Sequence, residues 1–251
     1  MSAAAATELL ARVADEPRWV EARALVLALA AGTPGVDAVR CASGWLVRAP
    51  ADGLAVAIGV APASALAALG GGAATAPMAV LLPDVGASAA DTAEVTAAAA
   101  AVGRRAERAV VHTLGDADDA GDALPDDDGV GLLPAEAALD HVPAPLRAEL
   151  VRARSRGPVV AAQVDGVAVS FAYAPWRSTR WFDISVDTLP GLRQRGLGTR
   201  VAAGLIRLER AAADGAPRRQ PVWGADEDNR ASRALAARLG FVAVDHLWLV
   251  P

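Results

Sequence analysis

One stretch of this sequence carries the residue types needed to hold a phosphate: Arg193-Gln194-Arg195-Gly196-Leu197-Gly198-Thr199. It follows an apolar, strand-like run and opens a segment of helical periodicity. Glycines at 196 and 198 let the backbone approach a ligand closely, because no Cβ intervenes. The first helical turn then offers amide N–H groups without intrahelical acceptors, at the positive end of the helix dipole. Arg193 and Arg195 add full charge. A dinucleotide-binding turn has similar parts, but it wants Gly or Ala at 201, where Val201 stands. A Gly-x4-Gly-Lys phosphate loop is excluded, because all 24 basic residues are arginine. A turn that simply caps a helix is the alternative.

A second set of residues suits proton transfer. Asp183, Ser185 and Asp187 alternate along one strand-like run and so share a face. A carboxylate so placed can take the proton from an ammonium, whose pKa near 10 otherwise keeps the amine from attacking an acyl group. Asp226, Glu227 and Asp228, at the end of the next strand, could instead bind a cationic acceptor. Each of these acids also reads as an ordinary solvated carboxylate. Tyr173 is the sole tyrosine, on an earlier strand. Trp176-Arg177-Ser178-Thr179-Arg180-Trp181 could hold a planar or anionic group, or form a packed edge with solvated arginines. His112, His141 and His246 are too scattered for a metal site, and the single Cys41 permits neither a disulfide nor a cysteine metal cluster.

Two of these segments together resemble the GNAT superfamily of N-acetyltransferases. Arg193 to Gly198 matches its Arg/Gln-x-x-Gly-x-Gly/Ala loop, and Pro190 stands where a proline is common. Asn229-Arg230-Ala231-Ser232, running on to Leu239-Gly240-Phe241, is similar to the second signature, in which an Asn opens a helix that ends in Leu-Gly-Phe. The resemblance covers residues 129–251. Pro221-Val222-Trp223 with Ser232 and Ala236 is similar to the zwittermicin A resistance-type branch. The resemblance implies acetyl-CoA as co-substrate, with no metal, and direct attack by an amine in a ternary complex. Its pyrophosphate would lie on Arg193, Gln194, Arg195, Gly196, Leu197, Gly198 and Thr199. Pantetheine would pair with the backbone of Val186, Asp187 and Thr188, with Asn229 and Ser232 supporting it. An N–H near Val186 would stabilise the oxyanion. Asp183 is the first candidate base and Asp187 the second. Asn229 also reads as a plain N-cap, and Ser232 as an ordinary first-turn residue. One departure stands out: where many relatives carry a tyrosine acid, this chain has Ala236, so Tyr173 is the only phenol able to replace it.

The elements that would position these groups read as α/β, or α+β: a GNAT fold with a mixed central sheet over 129–251, preceded by a smaller α/β domain over 1–114. That first half has helical spacing over Glu8–Ala31 interrupted near Pro17, strands at Trp45–Arg48, Leu54–Val60, Met78–Leu82 and Ala109–Thr113, and helices at Ala63–Leu69 and Ala90–Val102. It carries no chemical motif, and is either a degenerate GNAT-like half or a domain that shapes the acceptor site. The segment 115–128 contains seven aspartates and reads as a solvated linker. It fails as a calcium loop, with Ala120 at a ligand position. The second half has helices at Pro145–Arg156, Leu197–Ala213 and Arg230–Leu239. Its strands are Val159–Val164, Val167–Ala174, Trp181–Thr188, Pro221–Ala225 and Phe241–Leu249.

Composition narrows the partners. A net charge of −5 argues against nucleic acid. Residues 53–83 are uncharged, but Gly70, Gly71 and Gly72 with Pro62 and Pro77 argue against a membrane span. Glu8, Asp15 and Glu16 do not suit a signal peptide, so a cytoplasmic enzyme is expected. The partners expected are acetyl-CoA and an amine of a small molecule or peptide. The oligomeric state stays open, a homodimer included. Competing functions are a non-catalytic acyl-CoA-binding regulatory module and a protein N-terminal or lysine acetyltransferase.

Overall fold

The structure is a computed structural model and describes residues 3–70, 78–86, 88–114, 129–211 and 218–251. The segment 115–128, with its linker and calcium-loop readings, lies outside the described residues, as does the expected end of a helix at Ala213.

The chain forms two compact units that are not consecutive lengths of sequence. The first comprises Met1–Val111, Gly224–Asn229 and Ala243–Pro251, and the second His112–Trp223 and Arg230–Val242. In chain order the first unit starts with α1 (Ala3–Arg12), a 3-10 turn at Pro17–Trp19, α2 (Val20–Ala30), β1 (Asp37–Arg40) and β2 (Trp45–Ala49). It continues with β3 (Leu54–Ile58), α3 (Pro62–Gly70), β4 (Ala79–Leu82), α4 (Ala89–Ala101) and the start of β5 (Glu107–Leu114), whose residues from His112 belong to the second unit. Then come β6 (Val130–Leu132), α5 (Ala144–Arg156), β7 (Val159–Val164), β8 (Val167–Tyr173), β9 (Trp181–Asp183) and β10 (Ser185–Thr188). The chain closes with α6 (Leu197–Arg210), β11 (Gln220–Asp226), α7 (Arg230–Arg238) and β12 (Phe241–Val250).

In the first unit β1, β2 and β3 form an antiparallel meander, β3 pairs parallel with β4, and the end of β12 pairs antiparallel with β4. Ser88 starts α4 with a reciprocal capping box, its side chain accepting from the Asp91 N–H while Asp91 accepts from the Ser88 N–H. Leu46, Ala55 and Val80 of the sheet pack with Leu66 of α3 and Val95 and Ala99 of α4.

The second unit is built on a four-stranded sheet in the order β10-β8-β7-β6. Its β7–β8 hairpin turns at Asp165-Gly166, where φ is 52° and 77°. Two left-handed residues in succession are what a type I′ turn requires, as the Asp-Gly pair foretells. Leu150 and Ala153 of α5 pack with Phe171 and Tyr173 of β8. Helix α6 packs on β7, β8 and β10. It approaches so closely that a Cβ on Gly204 would sit 3.1 Å from both Val130 and Val160 side chains.

The expected interruption near Pro17 is a 3-10 turn at Pro17–Trp19, so α1 and α2 are separate. Two features depart from the sequence reading. Strands β1 and β6 are short and largely uncovered, with no alternation to announce them. The run Trp181–Thr188, expected as one strand, is two strands in two different sheets.

The corner Trp176–Trp181 is tied down by an ion pair. Arg177 donates through Nε to Glu209 of α6 at 3.0 Å, and also through Nη2. Glu209 is almost fully buried, with its side chain 5% exposed. Gly157 leaves room for that guanidinium, because a Cβ there would lie 2.6 Å from Arg177 Nη2. Arg156 stacks over Trp176 and Arg180 over Trp181, so this corner is packed. Arg177→Ala strands a buried carboxylate and should lower stability by about 3–5 kcal/mol in urea unfolding, while Arg177→Met with Glu209→Leu should recover most of the loss. A loss below about 1 kcal/mol in the single variant would contradict this role.

Candidate active site

The site begins at Ile184. Up to Asp183 the chain runs in β9, which pairs parallel with β11 over Gln220–Val222. The Ile184 N–H still donates to the Val222 carbonyl at 3.1 Å. From Ser185 the chain belongs to the other sheet: β10 pairs antiparallel with β8, Ser185 opposite Tyr173 and Thr188 opposite Ser170. Having left β11, β10 is the edge strand of its sheet. Val186, Asp187 and Thr188 therefore stand on an edge able to accept an added, strand-like ligand.

Beyond β10 the chain turns tightly. Leu192 donates to the Leu189 carbonyl, and Arg193 reaches back through Nε to the Thr188 carbonyl at 3.2 Å. Gln194 takes a left-handed φ of 64°, and Gly196, the N-cap of α6, one of 76°. No side chain caps α6; its first intrahelical bond runs from the Arg200 N–H to the Gly196 carbonyl. The amides of Leu197, Gly198 and Thr199 precede that bond and so have no acceptor within the helix. The two glycines do different work. A Cβ at Gly196 would meet nothing within 4 Å, so this one faces open space, whereas a Cβ at Gly198 would press on Leu235 of α7 at 3.3 Å and Val186 at 3.5 Å. Gly196 leaves space for a ligand, and Gly198 lets α6, α7 and β10 converge.

The proton-transfer candidates separate into two groups. Asp183 ends β9, at the branch. Burial pushes its carboxyl up to about 7, against the lowering effect of the Ile184 N–H. Asp187 and Tyr173 come together, with the Tyr173 hydroxyl 3.5 Å from Asp187 Oδ2 and donating to Glu149 of α5 at 2.8 Å. Burial, then the charge of Glu149, raises Asp187, while the Tyr173 hydrogen bond and Arg193 pull it down. Burial likewise raises the Tyr173 phenol, which holds its proton more firmly than a free tyrosine. Glu149 was missed in the sequence because it lies on an exposed helix turn with nothing to set it apart.

Asn229 precedes α7 and its N–H donates to the Asp226 carbonyl. Ser232 accepts a hydrogen bond from the Trp223 indole at 2.9 Å. Ala236 is fully buried. Glu227 of the acidic run forms a two-pronged ion pair with Arg108. In the first unit that run borders a cavity of about 450 Å³ walled by Arg105, Arg108 and Trp248. Among the described residues no group of three or more His, Cys, Asp or Glu is placed to hold a metal, and no helix is long and apolar enough to cross a membrane.

The model of the acetyltransferase (GNAT) family matches residues 132–241. This segment is similar to GNAT acetyltransferase domains. The match spans under half of the 251 residues and contains the branch at Ile184, the 193–199 loop and α7. A GCN5-related N-acetyltransferase-like protein from Streptococcus suis is similar over 100% of both chains at 17% identity, with a TM-score of 0.60. A tandem GNAT protein from the clavulanic acid biosynthesis pathway is similar over 100% of this chain and 96% of its own, at 19% identity and a TM-score of 0.58. A GNAT-family acetyltransferase from Novosphingobium aromaticivorans is covered over only 64% of its length, at 19% identity and a TM-score of 0.41. At these identities the likeness to the first two is one of fold, and it extends over the first unit. No curated protein matches the chain. None of these relatives is described as belonging to the zwittermicin A resistance-type branch.

The raised Asp183 has a consequence for stability. A carboxyl whose folded pKa, about 7, exceeds its ordinary value of 3.8 binds a proton in the folded state that the unfolded chain has released. Its stabilising contribution is therefore present below about pH 4 and lost as pH rises through about 7. Compared with Asp183→Asn, the wild type should become progressively less stable from pH 4 to pH 8, by on the order of a few kcal/mol at about 1.4 kcal/mol per pKa unit. Chemical unfolding at several pH values measures this. Parallel curves for the two proteins would show that Asp183 titrates normally.

Proposed function

We propose that the chain is an N-acetyltransferase that moves an acetyl group from acetyl-CoA to the amine of a small molecule or peptide. The observation that carries this is the crossing of one strand between two sheets at Ile184, directly ahead of an uncapped helix start with an open Gly196. In this reading the amides of α6 and the charges of Arg193 and Arg195 hold the pyrophosphate. Gln194 and Gly196, in left-handed conformations, turn the backbone around it. The free edge at Val186, Asp187 and Thr188 pairs with pantetheine, and a backbone N–H near Val186 meets the oxyanion. Asn229 supports the pantetheine arm. Ser232, bonded to the Trp223 indole, fixes α7 to β11.

Asp183 is the base of this reading. Near neutral pH a carboxyl of pKa about 7 is basic enough to take a proton from an ammonium and is about half ionised. Asp187 is the second candidate, placed by Tyr173. The attacking nitrogen forms a bond to the thioester carbon, the C–S bond breaks, and the thiolate leaves. Tyr173 is a poor acid for that thiolate, because its hydroxyl donates to Glu149 and its phenol is raised. A thiol pKa near 8.5 lets the thiolate leave unaided. The reaction is placed in the cytoplasm, with no metal, no nucleic acid and no membrane as partner.

The buried Ala236 at the family's tyrosine position favours one other reading, a non-catalytic acyl-CoA-binding module. Release of free CoA from acetyl-CoA in the presence of a panel of amines separates the two. The catalytic reading expects turnover that rises with pH through about 7 and levels off. Asp183→Asn should lower kcat/KM by about 10²–10⁴ and remove that rise, while Tyr173→Phe should cost less than about tenfold. Tight binding with no turnover over the whole panel would favour the binding module.

A further inference from the structure

The two halves of the sequence repeat one order of elements. In the first half, α2 is followed by β1, β2, β3, α3, β4, α4 and β5; in the second half, α5 is followed by β7, β8, β9 with β10, α6, β11, α7 and β12. The pairings repeat as well. β1 with β2 and β7 with β8 are antiparallel, as are β2 with β3 and β8 with β10. β3 runs parallel to β4 over Leu54–Val56, and β9 parallel to β11 over Trp181–Asp183. Helices α4 and α7 each lead into a left-handed glycine, Gly103 with φ of 72° and Gly240 with φ of 88°.

The copies differ where a cofactor would enter. In the second unit the third strand breaks at Ile184 and moves to another sheet. In the first, β3 stays whole and pairs with β2 along its full length, Leu54–Ile58, while pairing with β4 over Leu54–Val56. Where the strand ends, Gly59 N–H donates to the Asp84 carboxylate at 2.6 Å, a bridge between the segments that follow β3 and β4. That amide stands at the mouth of the first copy's strand pair, and it is already taken by an anion of the chain itself. The Ser43 hydroxyl donates to the Gly59 carbonyl at 2.7 Å, so the other polar group of this peptide position is engaged too. The connection to the helix is short. Residues 59–61 join β3 to α3, against 189–196 between β10 and α6, and they contain no arginine. Pro62 at the start of α3 has no N–H to offer.

We propose that the first unit is a closed copy of the acyltransferase fold, sealed by the Gly59–Asp84 bridge and by an unbroken β3, so that each chain binds one acyl-CoA. The inference rests on the reading of the second unit as the acyl-CoA site. An amide already bonded to a carboxylate of the chain has no place for a pyrophosphate, whereas the second copy presents an open glycine and two arginines.

Isothermal titration of the full chain with acetyl-CoA tests it, using Gly196→Glu and the exposed-site variant Arg195→Glu, each checked for native thermal unfolding. The expected result is one acetyl-CoA per chain and a loss of more than about tenfold in affinity in both variants, with no second saturable event. Two equivalents per chain, or one equivalent that survives unchanged in both variants, overturns the closed copy and places a working site in the first unit. Absence of binding by the folded wild type overturns the second-unit site itself, and the one-per-chain stoichiometry with it.

Discussion

A single hydrogen bond marks the point on which the site depends: the Ile184 N–H to the Val222 carbonyl, the last contact of the crossing strand with β11 before it joins β8. A strand can leave one sheet for another only if its remaining edge finds a partner or is left for a ligand, because backbone polar groups seek partners when removed from water. Here the pairing with β8 satisfies one edge of β10 and leaves the other for a ligand. The same break sets Asp183 at the end of β9, where burial raises its pKa, and starts the turn that delivers Gly196 to the head of α6. The loop at Gly196, the unpaired edge of β10 and the position of Asp183 are thus three results of one change of direction.

The surroundings hold that geometry. The Arg177–Glu209 pair fastens the Trp176–Trp181 corner to α6, and Gly204 and Gly198 let α6 press against β6, β7, β10 and α7. Tyr173, between Glu149 and Asp187, ties α5 to the crossing strand. The first unit shows what the same order of elements looks like without the break, with β3 paired on both sides over Leu54–Val56 and its end bridged by Asp84.

Much of this was legible in the residues. Glycines at 196 and 198 between arginines and a periodic apolar run identify the loop and the helix, and Asp165-Gly166 marks the hairpin, because each rests on local backbone rules. The family likeness pointed to the same loop. What was hidden depends on partners distant in sequence. Trp181–Thr188 alternates like one strand, and nothing within it says that its halves join different sheets. Glu149 looks like any exposed helix acid until the fold brings Tyr173 to it. Gly198 and Gly196 look alike in the motif, yet only one is open once α7 and β10 are in place. The last strand reads as the end of the second domain, but its final residues pair with Val80–Leu82 of β4 in the first unit.

Hydrogen exchange of the amides at Val186, Asp187 and Thr188, with and without acetyl-CoA, tests the centre of this account most directly. If the broken strand is the cofactor's docking edge, acetyl-CoA slows exchange across 186–188 and at the head of α6, and leaves the amides of Ala57, Ile58 and Gly59 unchanged. Unaltered exchange at 186–188 in the presence of saturating acetyl-CoA would show that the edge of β10 is not where the cofactor lies.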